Sequence, residues 1–154
     1  MIQIRPAKLE DIPQLQLLYQ KQFIVMQEYQ PDYFKADLPA IEFLEETIQS
    51  DEWDFLIAVD NEQLIGMVAL FIEHTLPYEC FVQHRYLNFA DIYVEPEYRS
   101  SGIGKQLIDA VKQWAKEKKV DYIELLVVEQ NKRAYELYLK EHFEPVHTVM
   151  RYKI

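Results

Sequence analysis

Three apolar, β-branched runs follow one another at residues 54–59, 64–73 and 86–94 with no helical period between them. No other feature of the chain constrains its fold as tightly. Asp60-Asn61-Glu62-Gln63 joins the first two runs, a connection short enough for a hairpin of antiparallel strands. A looser stretch around Pro77 leads to the third run, which Glu95-Pro96-Glu97 ends. A chain with this centre builds a sheet and must cover it with helices drawn from its flanks.

Both flanks supply them. Residues 2–5 read as a first strand, and the turn from Ala7 to Pro13, with its acids and proline, suits the start of a helix. That helix carries Leu15, Leu18, Tyr19 and Phe23 at helical spacing. A second helix is predicted over 39–50, with Ile41, Leu44 and Ile48 as its apolar stripe and Phe43 beside it. Beyond the sheet centre, Ile103, Leu107, Ile108, Val111, Trp114 and Ala115 recur at helical spacing, and Lys116, Lys118 and Lys119 suit the C-terminal end of that helix. A short strand follows at 122–128, Asn131 caps a further helix to about Glu141, and 146–152 reads as a closing strand. The order β, α, α, β, β, β, α, β, α, β describes an α/β (α+β) fold, a mixed, mostly antiparallel sheet flanked by helices. No repeat or Gly/Ser linker interrupts it, so one domain over 1–154 is expected.

Composition sets limits on function. With 154 residues, 49% of them hydrophobic, the chain can bury a core without disulfide or metal. Its one cysteine, Cys80, has no assignable His partner, and His74, His84, His142 and His147 show no metal-ligand spacing. The longest apolar stretch, 64–72, is too short to cross a bilayer, and the N-terminus lacks a signal-peptide core, so a cytoplasmic protein is expected. A net charge of −10 argues against nucleic-acid or anionic-membrane partners. All of that excess lies in residues 22–62, which hold eleven acids and one base, Lys35. These acids read either as a solvated helical surface or as a field for a cationic partner.

Chemistry concentrates after the third run. Two of the three glycines, Gly102 and Gly104, stand at a turn that opens a helix, in Arg99-Ser100-Ser101-Gly102-Ile103-Gly104-Lys105. Such a turn allows close backbone approach and leaves helix-start N–H groups free for phosphate oxygens, with Arg99 and Lys105 as cationic donors. An ordinary glycine turn is the competing reading. Neither the P-loop nor the G-x-G-x-x-G pattern fits, since Gln106 follows Lys105.

The arrangement resembles the GNAT superfamily of acyl-CoA-dependent N-acetyltransferases, whose R/Q-x-x-G-x-G/A signature is matched by Arg99 to Gly104. Asn131-Lys132-Arg133-Ala134-Tyr135-Glu136-Leu137-Tyr138 is similar to the family's Asn-x-x-Ala-x-x-x-Tyr helix, and the element order extends the likeness over nearly the whole chain. The resemblance implies acetyl-CoA as cosubstrate, its pyrophosphate held by the amides of residues 99–104 and its pantetheine arm paired with backbone at Ile92, Tyr93 and Val94. It also implies direct attack by an amine, with the Val94 amide facing the thioester oxygen. The resemblance also implies a homodimer, a state common in that family.

Tyr138 lies two helical turns beyond Asn131 on one face, and a phenol protonated at neutral pH can donate to a departing thiolate. Packing is the alternative for one of eleven tyrosines. Asp91, on the same strand face as Tyr93, either positions or deprotonates the acceptor amine, or is structural. Ala90 stands where many amine-acetylating relatives carry a glutamate, and His142-Phe143 where the family often has Gly-Phe, so the base stays unassigned and the helix end is capped differently. The reading is an N-acetyltransferase for a small-molecule amine or basic peptide, with a cationic acceptor as the finer expectation; a non-catalytic CoA-binding or protein-interaction module on the same scaffold is the alternative.

Overall fold

The computed structural model describes residues 1–154. Strand β1 (Ile2–Pro6) leads through a short 3-10 turn at Leu9–Asp11 into helix α1 (Ile12–Tyr29), followed by α2 (Ile41–Gln49). Strands β2 (Trp53–Asp60), β3 (Gln63–His74) and β4 (Arg85–Val94) come next, then α3 (Ile103–Lys118), the short β5 (Ile123–Glu124) and α4 (Lys132–Lys140). The sheet runs in chain order, antiparallel from β1 to β4, with β5 parallel to β4.

The β2–β3 connection is a two-residue hairpin turn. Asn61 and Glu62 both adopt positive φ, 46° and 69°, and Asp60 pairs with Gln63 across them. This is the backbone twist that a tight antiparallel hairpin demands, met here without glycine.

Each face of the sheet buries its own cluster. On one, Leu15, Leu18 and Tyr19 of α1 and Leu44 of α2 pack on Phe55, Ile57, Met67 and Tyr93. On the other, Ile103, Leu107, Ile108, Val111 and Trp114 of α3 and Tyr138 of α4 pack on Leu56, Val68, Leu70, Leu87 and Phe89. Gly66 lets the second layer approach closely, since a Cβ there would meet the Tyr93 carbonyl at 3.2 Å and Leu107 Cδ1 at 3.3 Å.

Three elements depart from the sequence-based expectation. On α2, Ile41 faces outward at 47% exposure, and Phe43 takes its place in the core against Phe55 and Phe71. The strand expected at 122–128 pairs over two residues only. No strand forms at 146–152, where Val146, Val149, Met150 and Tyr152 are exposed. An alternating apolar pattern becomes a strand only beside an edge that offers backbone partners. Here the tail is held elsewhere: Arg151 stacks over the Tyr33 ring at 4.6 Å and Lys153 bonds Asp32 at 3.3 Å.

A buried carboxylate fixes the start of α1. Asp11, 6% exposed, accepts two hydrogen bonds from Arg5, at 2.7 and 2.9 Å, and one from the Lys8 amide at 2.7 Å. Its pKa is lowered, chiefly by the Arg5 bonds. A depressed folded pKa contributes stability that is present above the unfolded value of about 3.9 and is lost as pH falls through the folded one. Asp11→Asn is therefore expected to cost about 2 kcal/mol at pH 7. Urea titrations should show the gap to the unmodified protein closing below about pH 4.

Candidate active site

Strand β4 carries one residue more than its partner. Asp91 pairs with Ala69 and Phe89 with Leu70, leaving Ala90 as a β-bulge. The extra residue changes which side chains share a face. Leu87 and Phe89 lie with α3 and α4, as do Ile92 and Val94, whereas Ala90 and Tyr93 join the α1 cluster. Asp91 thereby turns toward α1, and the Tyr19 hydroxyl donates to its Oδ2 at 2.6 Å.

The same stretch of β4 has a free edge. Pairing with β5 covers Leu87 and Asn88 alone, so the two strands part before the bulge. The Glu95 amide donates to the Ile65 carbonyl at 2.8 Å, and antiparallel alternation then puts Tyr93 and Asp91 in register with it toward β3. The backbone N–H groups of Ile92 and Val94 consequently face the opening between β4 and β5. Arg99 closes one end, its Nε donating to the Val94 carbonyl at 2.9 Å and its guanidinium 5.4 Å from the Tyr93 ring centre.

Where α3 begins, the chain alternates handedness. Ser100 has φ 66° and Gly102 φ 87°, and helix bonding starts only at the Gln106 amide, which donates to the Gly102 carbonyl. The amides from Ser100 to Lys105 therefore have no backbone acceptor, and the helix start has no side-chain cap. Successive N–H groups in such a turn form a concavity suited to an anion. Gly104 is not required by the fold, since a Cβ there would make an ordinary 3.7 Å contact with Leu137.

The cations of this loop are used unevenly. Lys105 bonds Asp109 at 2.7 Å and lies 3.9 Å from Glu141, so its charge is already matched. Arg133, which the spacing argument did not single out, reaches the loop from α4 and bonds the Ser100 hydroxyl at 3.0 Å. Ser101 donates to the Tyr98 carbonyl, and Ile103 is a core residue at 1% exposure. The Asn131 side chain caps α4, accepting from the Ala134 amide at 3.2 Å.

Helix α4 brings Tyr138 to the opening. The ring packs edge-on against Phe89 and Phe143, with centroids at 6.0 and 5.7 Å, and is 8% exposed. Its hydroxyl has no hydrogen-bond partner in the protein. Since no fully enclosed polar side-chain atom lacks one, that oxygen borders accessible space. Burial, with a smaller effect from the nearby Asp91 charge, pushes the phenol up to about 12. Burial likewise raises the Asp91 carboxyl above the usual range, against the hydrogen bond from Tyr19. Tyr138 and Asp91 approach the gap from opposite faces of the sheet.

Sequence reasoning missed Tyr19, Lys21 and Glu95 as well as Arg133. Tyr19 fell within the apolar stripe of α1, and only its position one turn beyond Leu15 placed it on the sheet-facing side. Glu95, 9% exposed, is bonded by Lys21 and faces the Tyr93 hydroxyl at 3.4 Å.

Comparison with known proteins agrees with this geometry. Residues 16–143 match the profile of the Acetyltransferase (GNAT) family. Thialysine N-epsilon-acetyltransferase of Bos taurus is 44% identical over 54 residues, which are 35% of this chain and 32% of that protein. An uncharacterized N-acetyltransferase of Methanocaldococcus jannaschii is 28% identical over 141 residues, 92% of this chain and 60% of the relative. The chain thus matches less than two thirds of the length of either. Among solved structures, a mutant protein from Bacillus halodurans superposes with a TM-score of 0.90 at 21% identity, covering 99% of both chains. An aminoglycoside N-acetyltransferase in complex with CoA superposes at 0.77 with 22% identity, over 100% of this chain and 95% of the other.

The end of α4 carries a backbone cost that can be measured. His142 holds φ 69°, a conformation that suits glycine, while the Phe143 amide closes the helix on the Tyr138 carbonyl at 2.9 Å. His142→Gly should raise stability by about 1 kcal/mol, read as a higher midpoint in a urea titration.

Proposed function

Because the chain belongs to the GNAT acetyltransferase family, we propose that it is an acetyl-CoA-dependent N-acetyltransferase in which a primary amine attacks directly. Residues 1–154 form its one catalytic domain on this reading. No helix is long and apolar enough to cross a membrane, which accords with a cytoplasmic enzyme. One arrangement carries the proposal: free backbone donors on β4 and at the start of α3 flank a gap into which Tyr138 and Asp91 project from opposite sides.

The residues present fit acetyl-CoA. Amides from Ser100 to Lys105, with Arg99 and Arg133, hold the pyrophosphate, and the exposed edge at Ile92, Tyr93 and Val94 holds the pantetheine arm. When bound, acetyl-CoA supplies an electrophilic thioester carbonyl and a thiolate leaving group. The Val94 N–H donates to the carbonyl oxygen as negative charge gathers there, an interaction stronger in the transition state than before it.

Two proton movements remain. An alkyl ammonium of pKa about 10.4 must lose a proton before its nitrogen can attack. Asp91, made more basic by burial, accepts that proton. The nitrogen lone pair then forms the C–N bond while the C–S bond breaks, and Tyr138 gives its proton to the sulfur. The second amine proton leaves to water, Asp91 releases the proton it took to water, and water reprotonates Tyr138. With its pKa pushed up to about 12, Tyr138 stays in the donating form throughout the physiological range.

The acceptor is proposed to be cationic. Eleven acids lie within residues 22–62, seven of them between the end of α1 and the start of β2, and two of the proteins named above are a thialysine and an aminoglycoside acetyltransferase. Such a field attracts a polyamine, a basic amino group or a basic peptide.

Thiol release from acetyl-CoA across a panel of amines tests the activity. Tyr138→Phe should lower kcat about 10²-fold with the acetyl-CoA KM little changed. CoA binding without thiol release for any acceptor would favour a non-catalytic binding module instead.

Raising ionic strength from 0.01 to about 0.5 M should raise KM for a polycationic amine severalfold and leave that of a neutral amine nearly unchanged. Equal salt dependence would remove the case for a cationic acceptor.

A further inference from the structure

The two carboxylate oxygens of Asp91 are not equivalent. Oδ2 accepts the Tyr19 hydroxyl at 2.6 Å, the Gln22 amide is the carboxylate's second and weaker donor, and Oδ1 makes no short, well-aligned bond within the protein. Every fully enclosed polar side-chain atom has a partner, so Oδ1 borders accessible space. Tyr19 is itself immobilised by packing. At 4% exposure its ring lies 4.7 Å from Phe23 and meets Phe55 edge-on at 5.8 Å. The direction of its hydroxyl is therefore set by the core and not by the carboxylate it bonds.

We propose that Tyr19 is a positioning residue for acyl transfer: by holding Oδ2 of Asp91 it stops the carboxylate from rotating and presents Oδ1 to the acceptor ammonium at the open edge of β4. This inference rests on the acetyltransferase reading. A carboxylate free to turn would share its lone pairs between the gap and the α1 face, and each misaligned orientation is lost to proton transfer. The constraint comes from an element that is distant in sequence, since Tyr19 and Asp91 are 72 residues apart.

The groups facing Asp91 are few. From α1 come the Tyr19 hydroxyl and the Gln22 amide, one turn further along the same face; from α4 comes Tyr138; and the facing residue of β3 is Ala69. No lysine, arginine or histidine is among them. Tyr19 is thus the principal donor that favours the ionised carboxylate against burial.

Tyr19→Phe keeps the ring and removes the donor, so the core is preserved and the variant should melt close to the unmodified protein. Its kcat for acetyl transfer should fall about tenfold, as the loss of a hydrogen bond to a charged group implies, with the acetyl-CoA KM unchanged. The acid limb of the pH–rate profile should also move to higher pH, because a carboxylate without its donor holds its proton longer. In an Asp91→Asn background the same substitution should have no further effect on kcat.

An unshifted acid limb with unchanged kcat, or an equal loss in both backgrounds, would overturn the positioning role while Tyr138→Phe remained impaired. No thiol release from the unmodified protein, whatever stands at position 19, would overturn the acetyltransferase reading and this inference with it.

Discussion

The site depends on the early parting of β4 from β5. Two residues of parallel pairing are enough to dock β5 on the sheet, and beyond them the Ile92 and Val94 N–H groups of β4 have no partner in the protein. Backbone donors left open at the heart of a fold are costly unless something meets them. Everything chemical in the molecule is arranged around that opening: the α3 turn at one end, α1 below, α4 above. The two apolar layers hold α1 on one side of the sheet and α3 with α4 on the other, α1 anchored by one cluster and the pair by the second.

The electrostatics follow from the same geometry. Asp91 sits where water is scarce and no cation is at hand, so its charge is tolerated only through neutral donors. Burial, and to a smaller degree that charge felt from across the sheet, makes Tyr138 a more reluctant acid. Burial raises both groups from values that lie far apart to begin with, so a charged carboxylate can stand beside a neutral phenol, as the proposed reaction requires.

Much of this was legible in the sequence because it is local. Hydrophobic period placed β2, β3, β4 and α3 within a residue or two of their observed ends and found the start and buried stripe of α1, and the glycine turn and the Asn131–Tyr138 spacing are written in consecutive residues. What was not legible is what depends on partners. The 146–152 segment has a strand's alternation, but the tail is held at Tyr33 and Asp32 and makes no strand pairing. Ile41 fits a helical stripe, yet the tilt of α2 brings Phe43 to the sheet instead. Tyr19 and Arg133 act across 72 and 33 residues of separation, and no spacing rule reports such contacts. The bulge at Ala90 was equally hidden, for it exists only as a mismatch between two strands.

That bulge also bears on how a chain of this kind can vary. A strand with one fixed joint has a reading frame: residues before it and after it face the layers they do because of a single uncounted position. Substitution at 90 or 91 changes what the gap is lined with and leaves the frame intact. Insertion or deletion of one residue on either side would exchange inside for outside along the rest of β4, sending Tyr93 toward α3 and Val94 toward α1. Such a strand can diversify its chemistry freely while its length stays locked.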